Sequence, residues 1–163
     1  MSWTITGPIV VPFDFSEYAM QAVRKAIEVG SDSSKVHCLH VLPFITPTEP
    51  GVVWGLVDDE ERLKEALKSM HQQLPEGEFG KLQIDVRFGD PGNVVADRAK
   101  ELDAELVVIG SHGRSGILRL MLGSVAERVA RLASCPVLVV KLQPQPVKAV
   151  ETARAETPQV AIA

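Results

Sequence analysis

The sequence is poor in cysteine and has no cluster of basic residues, and each shortage excludes a class of protein. Cys38 and Cys135 are its only cysteines and do not form a CxxC motif, so we expect two buried free thiols and no disulfide framework. The 17 basic residues are outnumbered by 21 acidic ones and are dispersed along the chain. A nucleic-acid surface needs clustered Lys and Arg, so we expect no nucleic-acid partner.

Long apolar runs are missing as well. No uninterrupted apolar stretch approaches the roughly 20 residues that span a bilayer. The first residues carry no basic segment ahead of an apolar core, as a secretory signal peptide would. We therefore expect no membrane association and a cytoplasmic location. With 45% hydrophobic and 23% charged residues in 163, the composition is typical of one globular domain.

Apolar runs alternate with amphipathic helical patterns along the chain. Strands are predicted within residues 8–12, 35–42, 82–88, 106–109 and 137–141. Helices are predicted from Ser16 to Gly30, from Asp58 or Asp59 to just before Pro75, from Asp90-Pro91 to about Leu102, and after Gly123. With right-handed crossovers, this order predicts an α/β fold: a Rossmann-like, doubly wound, five-stranded parallel sheet, order 3-2-1-4-5, with helices on both faces.

A glycine-punctuated loop, residues 110–124, joins the fourth predicted strand to the last predicted helix. Free N–H groups and the helix dipole at such a junction favour an anion, and glycines allow close backbone approach or a positive φ. In the predicted sheet, ligands bind beyond the strand carboxyl ends, where strands 1 and 4 diverge. The loops expected there are residues 12–16 and 110–124, so the sequence predicts a nucleotide site between them.

Three segments carry a resemblance to a known family. The spacing Gly-x2-Gly-x9-Gly-Ser is formed by Gly110, Gly113, Gly123 and Ser124. Residues 10–16 (VVPFDFS) and 135–140 (CPVLVV) are similar to a first strand with its adenine loop and to a last strand. Together they resemble the nucleotide(ATP)-binding branch of the universal stress protein family. The resemblance covers residues 1–142 as one nucleotide-binding domain and leaves 143–163 as a C-terminal extension, loosely ordered or packed on a partner subunit.

The candidate binding residues lie around the two loops. They are Pro12, Asp14, Val41, Ile109, Gly110, His112, Gly113, Arg114, Gly123, Ser124 and Val125. The resemblance implies that Asp14 contacts adenine or ribose and that the Val41 backbone contacts the adenine edge. Asp14 is also a common residue in turns that precede a helix, so a purely structural role remains an alternative. The same holds for Val41, Ile109 and Val125, which could simply pack in the hydrophobic core. We interpret His112 as a loop residue that contributes its backbone to the binding site. We assign no catalytic residue.

Several alternatives stay open at this point. Arg114 could donate to a phosphate or could be a solvent-exposed cation in the loop. Ser124 could bind phosphate or could serve only as the N-cap of the last helix. His37 and His40 face opposite sides of one strand and cannot share a metal. No protein metal site is expected, so Mg²⁺ or Mn²⁺ would arrive on the phosphates of ATP, ADP or AMP.

The resemblance implies an ATP-binding, nucleotide-dependent regulator in the stress response, acting on an unidentified protein. It also implies a homodimer formed through the last strand, Val137–Val140. One alternative is a slow ATPase or self-phosphorylating enzyme, which would lack a visible base or Walker-type lysine. Another is a nucleotide-free scaffold dimer, against which the intact glycine–serine set argues.

Overall fold

A computed structural model describes residues 5–45, 58–113 and 122–141. Its centre is a five-stranded parallel sheet in the order β3-β2-β1-β4-β5, which confirms the predicted topology. The strands are β1 (Ile9–Pro12), β2 (Val36–Leu42), β3 (Gln83–Phe88), β4 (Leu106–Gly110) and β5 (Val137–Val140). All four pairings are parallel, from Cys38 beside Ile84 on β3 to Val108 beside Leu138 on β5.

Helices connect successive strands across this sheet. They are α1 (Glu17–Gly30), α2 (Asp59–Gln73), the single-turn α3 (Glu76–Phe79), α4 (Pro91–Glu101) and α5 (Ser124–Leu132). A 3₁₀ turn, Ser33–Lys35, precedes β2. The short α3 was not predicted from the sequence; it buries Phe79 against the core beneath α1. In the described part of the chain, no helix is long and apolar enough to cross a membrane.

Three of the predicted helix starts are confirmed by side-chain caps. The Ser16 hydroxyl accepts from the Ala19 N–H, and the Asp58 carboxylate accepts from the Glu60 N–H. Asp90 accepts from the Asn93 N–H, with Pro91 as the first residue of α4. These side chains replace hydrogen bonds that the first turn of a helix lacks, which is why such starts can be predicted locally.

Helix α1 ends at Gly30 as predicted, but the left-handed residue that terminates it is the next one. Gly30 remains inside the helix, and Ser31 takes the left-handed conformation at its end, with φ of 55°. A Cβ on Gly30 would lie 2.7 Å from Ile9 Cδ1. Glycine there leaves room for the Ile9 side chain where α1 packs on β1, a contact that helix-end chemistry could not foretell.

The sheet separates two apolar cores. One lies against α1 and α2 and contains Ile9, Val11, Cys38 and Val108. The other lies against α4 and α5 and contains Val10, Leu39, Val107 and Ile109. Alternate residues of each strand feed opposite cores, so both faces of the central strands are buried and their sequences read as continuous apolar runs. Both cysteines are free, Cys38 buried and Cys135 only partly buried.

The two sheet edges are formed by β3 and β5. On β5, Leu138 is 37% exposed, whereas Val139 packs against the α4/α5 core. The predicted C-terminal extension, residues 143–163, lies outside the described residues.

Candidate functional site

A cavity opens at the carboxyl ends of β1, β2 and β4, between the N-termini of α4 and α5. Its volume is about 360 Å³, within the range of small-molecule sites. It is lined by Pro12, Phe13, Asp14, Ala19, Leu39, His40, Val41, Pro91, Ile109, Gly110, His112, Gly113, Ser124, Val125 and Ala126. This is the divergence point between strands 1 and 4 at which the topology predicts a ligand.

Most of the candidate residues from the sequence meet at this cavity. Those on its wall are Pro12, Asp14, Val41, Ile109, Gly110, His112, Gly113, Ser124 and Val125. Gly123 is absent from the wall and instead forms the N-cap of α5. Arg114 lies outside the described residues. Their contact with a nucleotide stays a prediction, since the cavity shows only that they converge.

Sequence reasoning missed part of the wall, namely Phe13, Ala19, Leu39, His40, Pro91 and Ala126. For two of these residues, the sequence contains a feature that could have placed them at the cavity. Leu39 lies two positions before Val41 and so shares its face of β2. Pro91 opens the helix that follows β3, at the same sheet edge as the two loops already singled out.

The N-terminus of α5 differs from those of α1, α2 and α4 because no side chain caps it. Gly123 is its N-cap, with φ of −63° and ψ of 148°. The first residues of the helix, Ser124, Val125 and Ala126, all line the cavity. Backbone N–H groups without a side-chain cap and the positive end of the helix dipole favour an anion at this position.

The loop before α5 is closed by a backbone bond. The Gly123 N–H donates to the Ser111 carbonyl at 2.8 Å, and the Gly123 carbonyl accepts from Glu127 N–H. The Gly123 amide is thus engaged within the protein, and donors for an anion come from the residues that follow it. Ser111 itself is buried, and its Oγ lies 3.0 Å from His112 Nδ1.

The glycines of the motif serve close approach here rather than an unusual backbone conformation. In the described part of the chain, positive φ among glycines occurs at Gly80 and Gly89 only. A Cβ on Gly110 would lie 2.7 Å from Tyr18 Cβ and 2.9 Å from the Tyr18 carbonyl carbon. Gly110 therefore lets α1 pack directly on the end of β4.

Asp14 organises the loop between β1 and α1. Its Oδ1 accepts from the Ser16 amide at 3.1 Å and from the Ser16 hydroxyl at 2.6 Å. Ser16 in turn caps α1. Asp14 thus has the turn role that its position suggested, and its carboxylate also forms part of the cavity wall.

An ion pair joins the two helices that flank the cavity. Arg128 of α5 donates to Asp90 Oδ2 at 2.8 Å, and Asp90 caps α4. The Asn93 amide and the Arg128 guanidinium hold the pKa of Asp90 below its ordinary value. A Cβ on Gly92 would lie 2.5 Å from Arg128 Cδ, so glycine there admits the arginine stem. This contact fixes the spacing between the starts of α4 and α5.

Comparison with known proteins assigns the chain to a family. The sequence profile of the universal stress protein family matches residues 6–141. The chain belongs to the universal stress protein family. A universal stress protein of Methanocaldococcus jannaschii is 35% identical over 139 residues, covering 82% of this chain and 81% of that protein.

Solved structures agree with this assignment. Universal stress protein UspA from Lactobacillus plantarum is 25% identical, covers 85% of this chain and 99% of its own, and superposes with a TM-score of 0.66. An Arabidopsis thaliana family member, solved with AMP bound, is 19% identical and has a TM-score of 0.55 over 84% of this chain and 92% of its own. At 19% identity, the similarity to the Arabidopsis protein is evidence for the fold alone.

Proposed function

We propose that this universal stress protein binds an adenine nucleotide, ATP in the first instance, in the cavity between β1 and β4. The observation that carries the proposal is the start of α5: a helix N-terminus without a side-chain cap, opening directly into a cavity. Phosphate oxygens would accept hydrogen bonds from the N–H groups of its first turn and from the Ser124 hydroxyl.

Other residues of the cavity wall suit a nucleoside. Leu39, Val41, Ile109 and Val125 provide apolar walls for a base, and Asp14 provides the polar group. A pocket with mostly apolar walls and a few directed polar groups is typical of sites that bind small organic ligands. The choice of an adenine nucleotide rests on membership of the family and on the glycine–serine spacing, which resembles that of its nucleotide-binding branch.

A metal ion would enter this site on the nucleotide. Within the described ranges, His, Cys, Asp and Glu side chains form no group of three or more that could hold a metal. Mg²⁺ or Mn²⁺ would therefore be held chiefly by the phosphates, where it offsets their charge. The residues of this chain would supply the backbone donors and the shape of the site.

The biological role we propose is regulatory: nucleotide occupancy changes the surface that the protein presents to a partner in the stress response. A dimer through β5 belongs to this proposal, because β5 ends the sheet and leaves one edge unpaired among the described residues. Membership of the family and the position of the strand support both features of the proposal.

Calorimetry with ATP, ADP, AMP and GTP tests the proposal directly. We expect binding of an adenine nucleotide that a Gly123→Val variant loses while its circular dichroism spectrum is retained. Valine can adopt the backbone angles of Gly123. Its Cβ would lie 3.2 Å from the Ser111 carbonyl oxygen, so its methyl groups would crowd the hydrogen bond between Gly123 and Ser111 that closes the loop. Gly77→Ala is the matched control, because its Cβ would meet nothing within 4 Å.

The outcomes separate the alternatives. Absence of nucleotide both from the purified protein, by mass spectrometry, and from the titrations would leave the nucleotide-free scaffold. Unchanged affinity in folded Gly123→Val would contradict the placement of phosphate at α5. Release of phosphate from ATP with Mg²⁺, above that of a boiled sample, would favour the slow ATPase over a pure binding protein.

A further inference from the structure

The loop between β1 and α1 contains a residue in an unusual backbone conformation. Phe15 has a φ of 67°, in the left-handed region that bulky side chains avoid. It lies between Asp14 and Ser16, whose side chains are hydrogen-bonded to each other. A contact from outside the loop would help to hold this conformation, in addition to the hydrogen bonds within the loop.

That contact comes from His40 on β2. His40 Nδ1 lies 2.7 Å from the carbonyl oxygen of Phe13. A carbonyl only accepts, so Nδ1 carries the hydrogen and donates it. The neighbouring Leu39 carbonyl accepts from the Phe13 N–H at 2.8 Å. Both backbone groups of Phe13 are thus held by two successive residues of β2.

The ring of His40 also supports Phe15. The two rings meet edge to face, with centroids 4.7 Å apart and planes at 62°. Phe15 makes a second edge contact with the buried ring of Phe13, at 5.3 Å and 67°. His40 therefore contacts the residues on both sides of Asp14 in the chain, one through its nitrogen and one through its ring.

Asp14 is the group whose place this arrangement sets. Its carboxylate lies on the cavity wall, against the backbone of Gly113. We infer that His40 is a positioning residue of the nucleotide site: its Nδ1–H holds Phe13, and with it the left-handed Phe15, so that Asp14 is directed at the nucleoside. This inference rests on the proposed function and adds to it a residue that acts from β2.

Two substitutions test the hydrogen bond, and both remove the imidazole ring. His40→Asn keeps an N–H donor at the same distance along the side chain, whereas His40→Leu keeps volume but has no donor. His37→Leu is the matched control, because His37 lies on the same strand, faces the other core and is not part of the cavity wall. ATP affinity is measured by calorimetry, and the amide signals of residues 13–16 are measured by NMR without nucleotide.

We expect His40→Leu to bind ATP about five- to tenfold more weakly, as for loss of one hydrogen bond, and to shift the loop signals. His40→Asn and His37→Leu should keep affinity and loop signals close to those of the unaltered protein. If His40→Leu does not fold, His40→Phe serves as the second variant without a donor.

Wild-type affinity and loop signals in a folded variant without the donor would overturn the inference. Equal loss in His40→Asn and His40→Leu would also overturn it, since the donor would then not matter. Failure of the unaltered protein to bind ATP, ADP or AMP would count against the proposed function instead. The nucleotide-free loop signals would still decide whether His40 holds the loop.

Discussion

The carboxylate of Asp14 lies against the backbone of Gly113, so closely that a Cβ on Gly113 would be 2.6 Å from Asp14 Oδ2. The contact joins the loop after β1 to the loop after β4. Asp14 cannot simply rotate away, because its other oxygen accepts two hydrogen bonds from Ser16. The two loops therefore set each other's position at the cavity.

Replacing Gly113 by alanine should displace Asp14 and weaken nucleotide binding. The side chain at this position would collide with a carboxylate that is already bonded to Ser16. We expect about a tenfold loss of ATP affinity by calorimetry, or about 1.4 kcal/mol. The melting temperature should change little, since the clash is at the cavity wall. Wild-type affinity in Gly113→Ala would show that the position of Asp14 is unimportant.

Gly110→Ala should lower stability instead. Its Cβ would meet the backbone of Tyr18 as well as its Cβ, and backbone in a helix cannot turn aside. We expect the free energy of unfolding in urea to fall by about 1–3 kcal/mol, as for other overpacked sites. Gly77→Ala, with open space around it, should unfold at the same urea concentration as the unaltered protein. An equally stable Gly110→Ala would mean that α1 can shift away from β4.

We expect His37 to lower the free energy of unfolding in mild acid. Burial and the guanidinium of Arg98 lower its pKa below the ordinary value of 6.5, against a smaller opposing effect of Asp85. In the unfolded chain His37 therefore takes up a proton at a higher pH than in the folded protein. Its contribution to stability is present above pH 6.5 and is lost as the pH falls through the folded pKa.

Urea unfolding between pH 7.5 and about pH 5 measures this contribution through its slope. We expect a shallower loss of stability in His37→Gln than in the unaltered protein. Gly77→Ala, which changes no titratable group and has open space around its Cβ, offers the comparison, and its slope should equal that of the unaltered protein. If the free energy of unfolding falls with pH equally steeply in His37→Gln and in the unaltered protein, His37 is not the source of the pH dependence.

Leu138→Lys should weaken the proposed dimer with little harm to the monomer. Leu138 is exposed on the edge strand, whereas Val139 packs into a core and would destabilise the fold if charged. We expect light scattering to show a dimer for the unaltered protein and at least about a tenfold higher dissociation constant for Leu138→Lys. A monomer mass for the unaltered protein at micromolar concentration would rule out assembly through β5.

The sequence by itself determined the order of strands and helices and the starts of the main helices. Ser16, Asp58 and Asp90-Pro91 mark those starts because capping is a bond between near neighbours in the chain. The spacing of Gly110, Gly113, Gly123 and Ser124 likewise indicated where a nucleotide would bind, as did the alternation that predicts the sheet.

Only the tertiary structure decided what several of these residues touch. Gly30 and Gly110 are glycines because Ile9 and Tyr18 pack against them. His40 meets Phe13, 27 residues earlier in the chain, and Arg128 meets Asp90 across two helices. Such contacts depend on how closely separate elements approach, and local propensities and spacing carry no information about that distance.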